Sequence, residues 1–125
     1  MKLKFGPIQI FVSDLEKAKK WYANTLGMKL VKEYPEFKCI LMKLGKTEFD
    51  IGIPDPSWGD GWNKVKIGGR TCIFFETDDI EKVCKELKKK GVKFVEEPYK
   101  RPWGEMKAVF ADSDGNEFNL IEVVE

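Results

Sequence analysis

"IFVSDLEKAKKWYANTLGMKLVKE", Ile10 to Glu33, and "FETDDIEKVCKELKKKGVKFVEE", Phe75 to Glu97, follow one plan, the second with one residue fewer in its helical part. Asp14-Leu15-Glu16-Lys17 overlies Asp79-Ile80-Glu81-Lys82, and "LGMKLVKE" overlies "KGVKFVEE". Self-similarity on this scale means one supersecondary unit used twice. Each copy opens with a strand. In the first, Ile8, Ile10 and Val12 alternate with Pro7, Gln9 and Phe11, so the two sets lie on opposite faces. Ser13 with Glu16, and Asp78 with Glu81, have the spacing of a capping box and start a helix. Leu15, Ala18, Tyr22 and Leu26 form one apolar stripe; Ile80, Val83 and Leu87 form the other, with Cys84 beside them. Gly27 and Gly91 close the helices, and strands Lys29 to Lys32 and Lys93 to Glu96 follow.

Each half then ends in a hairpin. "FKCILMKLG" turns at Gly45-Lys46 into "TEFDIGIP", and "MKAVFAD" turns through "DSDG" into "NEFNLIEVV". The expected fold is therefore α+β: one domain of two tandem βαβββ modules, residues 1–54 and 70–125, joined by the Gly- and Pro-rich linker 54–70. That linker, "PDPSWGDGWNKVKIGGR", carries Trp58 and Trp62, which a purely solvated connection does not need.

Composition narrows the function. With 125 residues, 42% hydrophobic, the chain can bury one core. Its 22 cations, of which only Arg70 and Arg101 are arginines, balance 21 acidic residues, so no net field draws in nucleic acid or an anionic membrane, and neither partner is expected. No apolar run approaches the ~20 residues that span a bilayer. Cys39, Cys72 and Cys84 are widely spaced and odd in number, which suits a reducing compartment and a cytoplasmic location. The sequence contains no histidine, which excludes a Ser-His-Asp triad, a Cys-His pair and any His-based metal centre.

The duplicated plan, with "VSDLEKAKKWYANTLGMKL", "FFETDDIEKV" and "PWGEMKAVFADSDGNEFNLIE", resembles the vicinal oxygen chelate superfamily, which includes glyoxalase I, extradiol dioxygenases, fosfomycin resistance enzymes and bleomycin resistance proteins. The resemblance covers nearly the whole chain. It implies modules whose curved mixed sheets make a central cleft with helices on the outer face, usually in a homodimer. It also implies where metal-dependent members place their ligands: a His seven residues before the Asp of each "D-L/I-E" corner and a carboxylate in the last strand of each module. In this chain those positions hold Pro7, Asp50, Cys72 and Asn119.

Proline offers no donor, and Asp, Cys and Asn together match no preferred metal in geometry or softness. No metal and no other cofactor is expected. Cys72 has no group beside it in sequence that would make its thiolate reactive, so it is read as a small apolar wall residue where relatives carry a ligand.

What remains is a cleft without its metal, as in bleomycin resistance proteins, which the "PWG" of Pro102-Trp103-Gly104 and the "D-x-D-G-N" turn also resemble. With the metal positions that the resemblance implies taken as the cleft side, strand parity puts Gln9, Phe11, Glu48, Asp50, Cys72, Phe74 and Asn119 on the cleft wall, with Glu76 and Glu117 of the same parity. Trp58, Trp62 and Trp103, with Tyr99, sit in or near loops suited to recognition. Asp55 and Asp60 either add charge for a basic ligand or simply make turns. The expected function is binding of a small aromatic or cationic molecule, with no catalytic residues. The alternative is a lyase- or isomerase-type enzyme with Asp50 or Glu48 as general base, or with an atypical metal site. Elemental analysis of untagged protein tests the first reading: it predicts no stoichiometric metal and no thermal stabilisation by nickel, zinc, manganese or iron(II).

Overall fold

A computed structural model describes residues 1–123. Its Cα framework separates into two compact units, Met1–Ile67 and a second that begins at Gly68. The first contains β1 (Ile8–Phe11), α1 (Leu15–Leu26), β2 (Lys29–Tyr34), β3 (Cys39–Leu44) and β4 (Thr47–Gly52). The second contains β5 (Gly69–Thr77), α2 (Ile80–Lys89), β6 (Lys93–Lys100), β7 (Met106–Ala111) and β8 (Asn116–Glu122). Each is a βαβββ module, and the fold is α+β.

The sheets are mixed and share one topology. In the first, the order is β1-β4-β3-β2, with β1 parallel to β4 and the other pairs antiparallel. In the second, the order is β5-β8-β7-β6, with β5 parallel to β8. The helix supplies the crossover that a parallel pair requires.

Each helix covers one face of its own sheet. Ala18 and Tyr22 of α1 are buried with Ile10, Ile40, Met42, Phe49 and Ile51. On α2 the buried stripe is Ile80, Cys84 and Leu87, while Val83 is only half-buried; Cys84 takes the central position that the sequence reading gave to Val83. Phe75, Phe110 and Phe118 form an aromatic cluster under the second helix, with Phe118 at 5.5 Å from Phe75 and 5.7 Å from Phe110 between ring centroids.

The caps fall one residue later than expected. Asp14, not Ser13, is the N-cap of α1, its carboxylate accepting from the Lys17 N–H at 3.0 Å. Asp79, not Asp78, does the same for α2 through the Lys82 N–H at 3.2 Å. An extended residue whose oxygen reaches the third N–H beyond it makes the cap, and the Asp of each "D-L/I-E" corner has that geometry. Gly27 ends α1 in the left-handed conformation, φ 76°, as expected. The strands after the helices run further than the sequence pattern indicated, to Tyr34 and Lys100.

The "D-x-D-G-N" turn is a structural knot. Asp112 and Asn116 are both buried. One Asp112 oxygen accepts from the backbone N–H groups of Asp114 (2.9 Å) and Asn116 (2.8 Å), and the other accepts from the Asn116 side-chain amide at 2.8 Å. The Asn116 carbonyl oxygen accepts from the Gly68 N–H at 3.0 Å, tying the β7–β8 turn to the start of β5. Gly68 itself has φ 91°, and a Cβ there would lie 2.8 Å from the Asp114 carbonyl oxygen, so only glycine fits. Among the described residues no helix is long and apolar enough to cross a membrane.

Two stability differences follow, both measurable by chemical denaturation. Asp14→Ala removes one exposed cap and costs about 1 kcal/mol. Asp112→Ala strands three donors in a buried turn and costs about 3 kcal/mol or more.

Candidate functional site

The face of the first sheet opposite α1 carries a cavity of about 660 Å³. Alternation along the strands builds it: while Ile10, Met42, Phe49 and Ile51 point into the core, Pro7, Gln9 and Phe11 of β1, Cys39 and Leu41 of β3, and Asp50 and Gly52 of β4 line the cavity. The register sets them side by side, since Asp50 lies opposite Gln9 on one neighbour and opposite Leu41 on the other.

Aromatic rings line its remaining sides. Tyr34 ends β2, and Phe37 follows it in a single 3₁₀ turn, Pro35–Phe37. Trp58 and Trp62 reach in from two further 3₁₀ turns, Pro56–Trp58 and Asp60–Lys64. The two indoles meet edge to face with centroids 5.2 Å apart, and Trp62 meets Phe11 at 6.0 Å and 90°. Such pairs hold rings in fixed orientations beyond what area burial gives. The stretch read as a linker thus belongs in large part to the first unit. Asp55 is its brace, with one carboxylate oxygen accepting from the Ser57 hydroxyl (2.7 Å) and N–H (3.0 Å) and the other pairing with Lys38 at 3.1 Å. These bonds, the Ser57 hydroxyl first, hold the Asp55 carboxyl below its ordinary value. The turn-making reading of Asp55 is therefore the structural one.

Among the described residues Asp50 is the only carboxylate on the cavity wall, and no Lys or Arg lines it. Beside it, burial pushes the Cys39 thiol above its ordinary value, and the charge of Asp50 and a hydrogen bond to it add to the effect, as does the charge of Glu36. Cys39 is consequently a neutral thiol at pH 7 and a weak nucleophile.

The second sheet has a smaller hollow of about 210 Å³ on its corresponding face, lined by Arg70, Cys72, Phe74, Glu96, Lys107, Val109, Glu117 and Asn119. Cys72 is exposed with φ 63°, a left-handed conformation uncommon for a side chain of its kind. It sits where β5 takes four residue steps, from Arg70 to Phe74, against two of β8, from Glu117 to Asn119. The Thr71 hydroxyl holds this irregularity by donating to the Glu117 carbonyl at 2.7 Å and accepting from the Ile73 N–H at 3.1 Å. The apolar-wall reading of Cys72 is corrected to that extent: it lines a hollow, but an exposed one among charged groups.

Of the expected ligand-binding residues, Gln9, Phe11, Asp50, Trp58 and Trp62 gather in the first cavity, and Cys72, Phe74 and Asn119 in the second hollow. Glu48 and Trp103 border neither. Glu48 lies opposite Lys43 near the β3–β4 turn, and Trp103 is 67% exposed with the Arg101 guanidinium stacked on its ring at 4.0 Å. The sequence reading missed Tyr34, Phe37 and Cys39, although two aromatics around a proline in "YPEF" were a signal available to it.

The metal that the resemblance implies does not fit these residues. In the first module Pro7 offers nothing and Asp50 a single carboxylate; in the second, Asn119 adds only an amide to the Cys72 thiol. Among the described residues no three His, Cys, Asp or Glu side chains form a group that could hold an ion.

Comparison with known proteins agrees with the fold. A model of the "Glyoxalase/Bleomycin resistance protein/Dioxygenase superfamily" matches residues 4–120. The chain is 33% identical to the "Probable lactoylglutathione lyase" of Synechocystis sp., over 90% of each chain. It is 31% identical to human mitochondrial methylmalonyl-CoA epimerase over 78% of its own length, spanning 59% of that protein. A crystal structure of a superfamily member from Sphaerobacter thermophilus superposes with a TM-score of 0.84 at 35% identity, covering 98% of both chains. With the tandem βαβββ modules and the matched span of residues taken together, the chain belongs to the glyoxalase/bleomycin resistance protein/dioxygenase superfamily.

Proposed function

We propose that the protein binds a small planar aromatic molecule, neutral or cationic, in the cavity of its first module and holds it without chemistry. The aromatic lining carries this reading: Phe11, Tyr34, Phe37, Trp58 and Trp62 surround a space of about 660 Å³, within the ~300–1,000 Å³ usual for ligand pockets. Ring faces attract a cation by ~0.5–2 kcal/mol, and among the described residues Asp50 is the only formal charge on the wall, so an anion is disfavoured. The Cys39 thiol on the wall is held neutral by burial and is not activated as a nucleophile. A second reading, a lyase or isomerase with Asp50 as base on a small carbonyl or epoxide substrate, draws on the names of the relatives and on the seating of Asp50 in the cavity.

Titration with a panel of planar aromatic compounds, followed by tryptophan fluorescence, is the test. At least one compound quenches emission with micromolar affinity, and Trp62→Leu lowers that affinity about tenfold or more, as loss of one stacking ring would. No saturable quenching across the panel would overturn the proposal. Asp50→Asn weakens cationic members about tenfold and leaves neutral ones unchanged; under the enzyme reading the same variant abolishes a turnover seen in the wild type. Alkylation locates the site independently. Cys39 reacts appreciably only above the ordinary thiol value of 9.0, because its folded pKa is raised, and a bound ligand slows its reaction without slowing that of exposed Cys72.

A further inference from the structure

The hollow of the second module differs in chemistry from the aromatic cavity. Charge alternates strand by strand across its floor: Arg70 on β5, Glu117 on β8, Lys107 on β7 and Glu96 on β6. Arg70 and Glu117 are direct neighbours in the parallel register. Yet among the described residues none of the four side chains makes an ion pair; pairs of this kind form elsewhere, as between Lys88 and Glu97 and between Arg101 and Glu105. Two cations and two carboxylates thus converge on one concavity with their hydrogen-bonding capacity unspent.

We propose that this hollow binds a small zwitterion, a free α-amino acid or a molecule with the same pairing of ammonium and carboxylate. A simple anion gains from Arg70 but meets Glu117 directly beside it, Lys107 lying further along the sheet opposite Ile121; a simple cation gains from Glu117 but meets Arg70. Only a ligand carrying both charges a few bonds apart gains at both kinds of strand. The guanidinium fork of Arg70 suits a carboxylate, and Glu117 and Glu96 accept from an ammonium group. Asn119, whose side-chain amide already donates to the Ile73 carbonyl at 3.4 Å, keeps its carbonyl oxygen as a further acceptor on the wall. The volume of about 210 Å³ equals about seven waters, which sets the scale of the ligand at a small amino acid. Val109 and the exposed ring of Phe74 supply the apolar part of the wall. The inference does not depend on the aromatic cavity of the first module.

The test is an NMR titration of ¹⁵N-labelled protein with glycine, L-alanine and L-serine, and separately with acetate and methylammonium, at low ionic strength. The expected result is saturable shifts of the Cys72, Glu117 and Asn119 backbone amides with at least one amino acid, and a weaker response to either half alone. Arg70→Gln and Glu117→Gln each weaken that binding about tenfold, and Lys85→Gln, on the exposed side of α2, leaves it unchanged. No saturable shift with any of the three amino acids would overturn the proposal. So would acetate or methylammonium binding as tightly as the amino acid, since that would mark a site for one charge only.

Discussion

Each module has one amphipathic helix to cover a four-stranded sheet, and a helix covers only one face. Strand alternation then divides every strand into residues that pack under the helix and residues that do not. The first set is apolar and interchangeable in kind between the modules: Ile10, Phe49 and Ile51 in one, Phe110, Phe118 and Leu120 in the other. The second set is where the modules diverge. In the first it is aromatic with one carboxylate, and in the second it is a field of alternating charge. Duplication of the scaffold has left two faces of similar geometry and different chemistry.

The aromatic face depends on a segment outside the repeat. Residues between the modules fold back as two short 3₁₀ turns and place Trp58 and Trp62 over the face bearing Phe11 and Asp50. Asp55, bonded to Ser57 and Lys38, fixes where the first of these turns begins. On the same wall, burial first and the charge of Asp50 second push the Cys39 thiol up and keep it protonated. A metal-binding relative would need a donor where Pro7 stands; here the position contributes only ring carbons to a hydrophobic wall.

Much of this was legible in the sequence, because the repeat is strong and the strand period is two. Parity with the positions that the resemblance assigns to metal ligands put Gln9, Phe11 and Asp50 on one face, and in the structure all three line the first cavity. It also placed Cys72 and Phe74 together despite the irregularity in β5, because the excess there is two residues and an even excess leaves the faces unchanged. Other features were not legible. The spacing of Ser13 and Glu16 fits a capping box as well as Asp14 fits a simple cap, and only the backbone angles decide between them. The "D-x-D-G-N" stretch was legible as a turn, but its pattern does not tell that Asp112 and Asn116 are buried and bonded to each other and to Gly68. Glu48 shares the right parity but lies too near the β3–β4 turn to reach the cavity, a distance along the strand that parity does not encode.

The central claim is that the aromatic enclosure of the first module is the binding site, and the indole N–H resonances of the protein report on it ring by ring. With a planar aromatic compound at saturation, the Trp58 and Trp62 indole signals shift, while that of Trp21, edge to face with Tyr22 at 4.8 Å, stays in place. Binding of such a compound with the Trp58 and Trp62 signals unmoved would contradict the account.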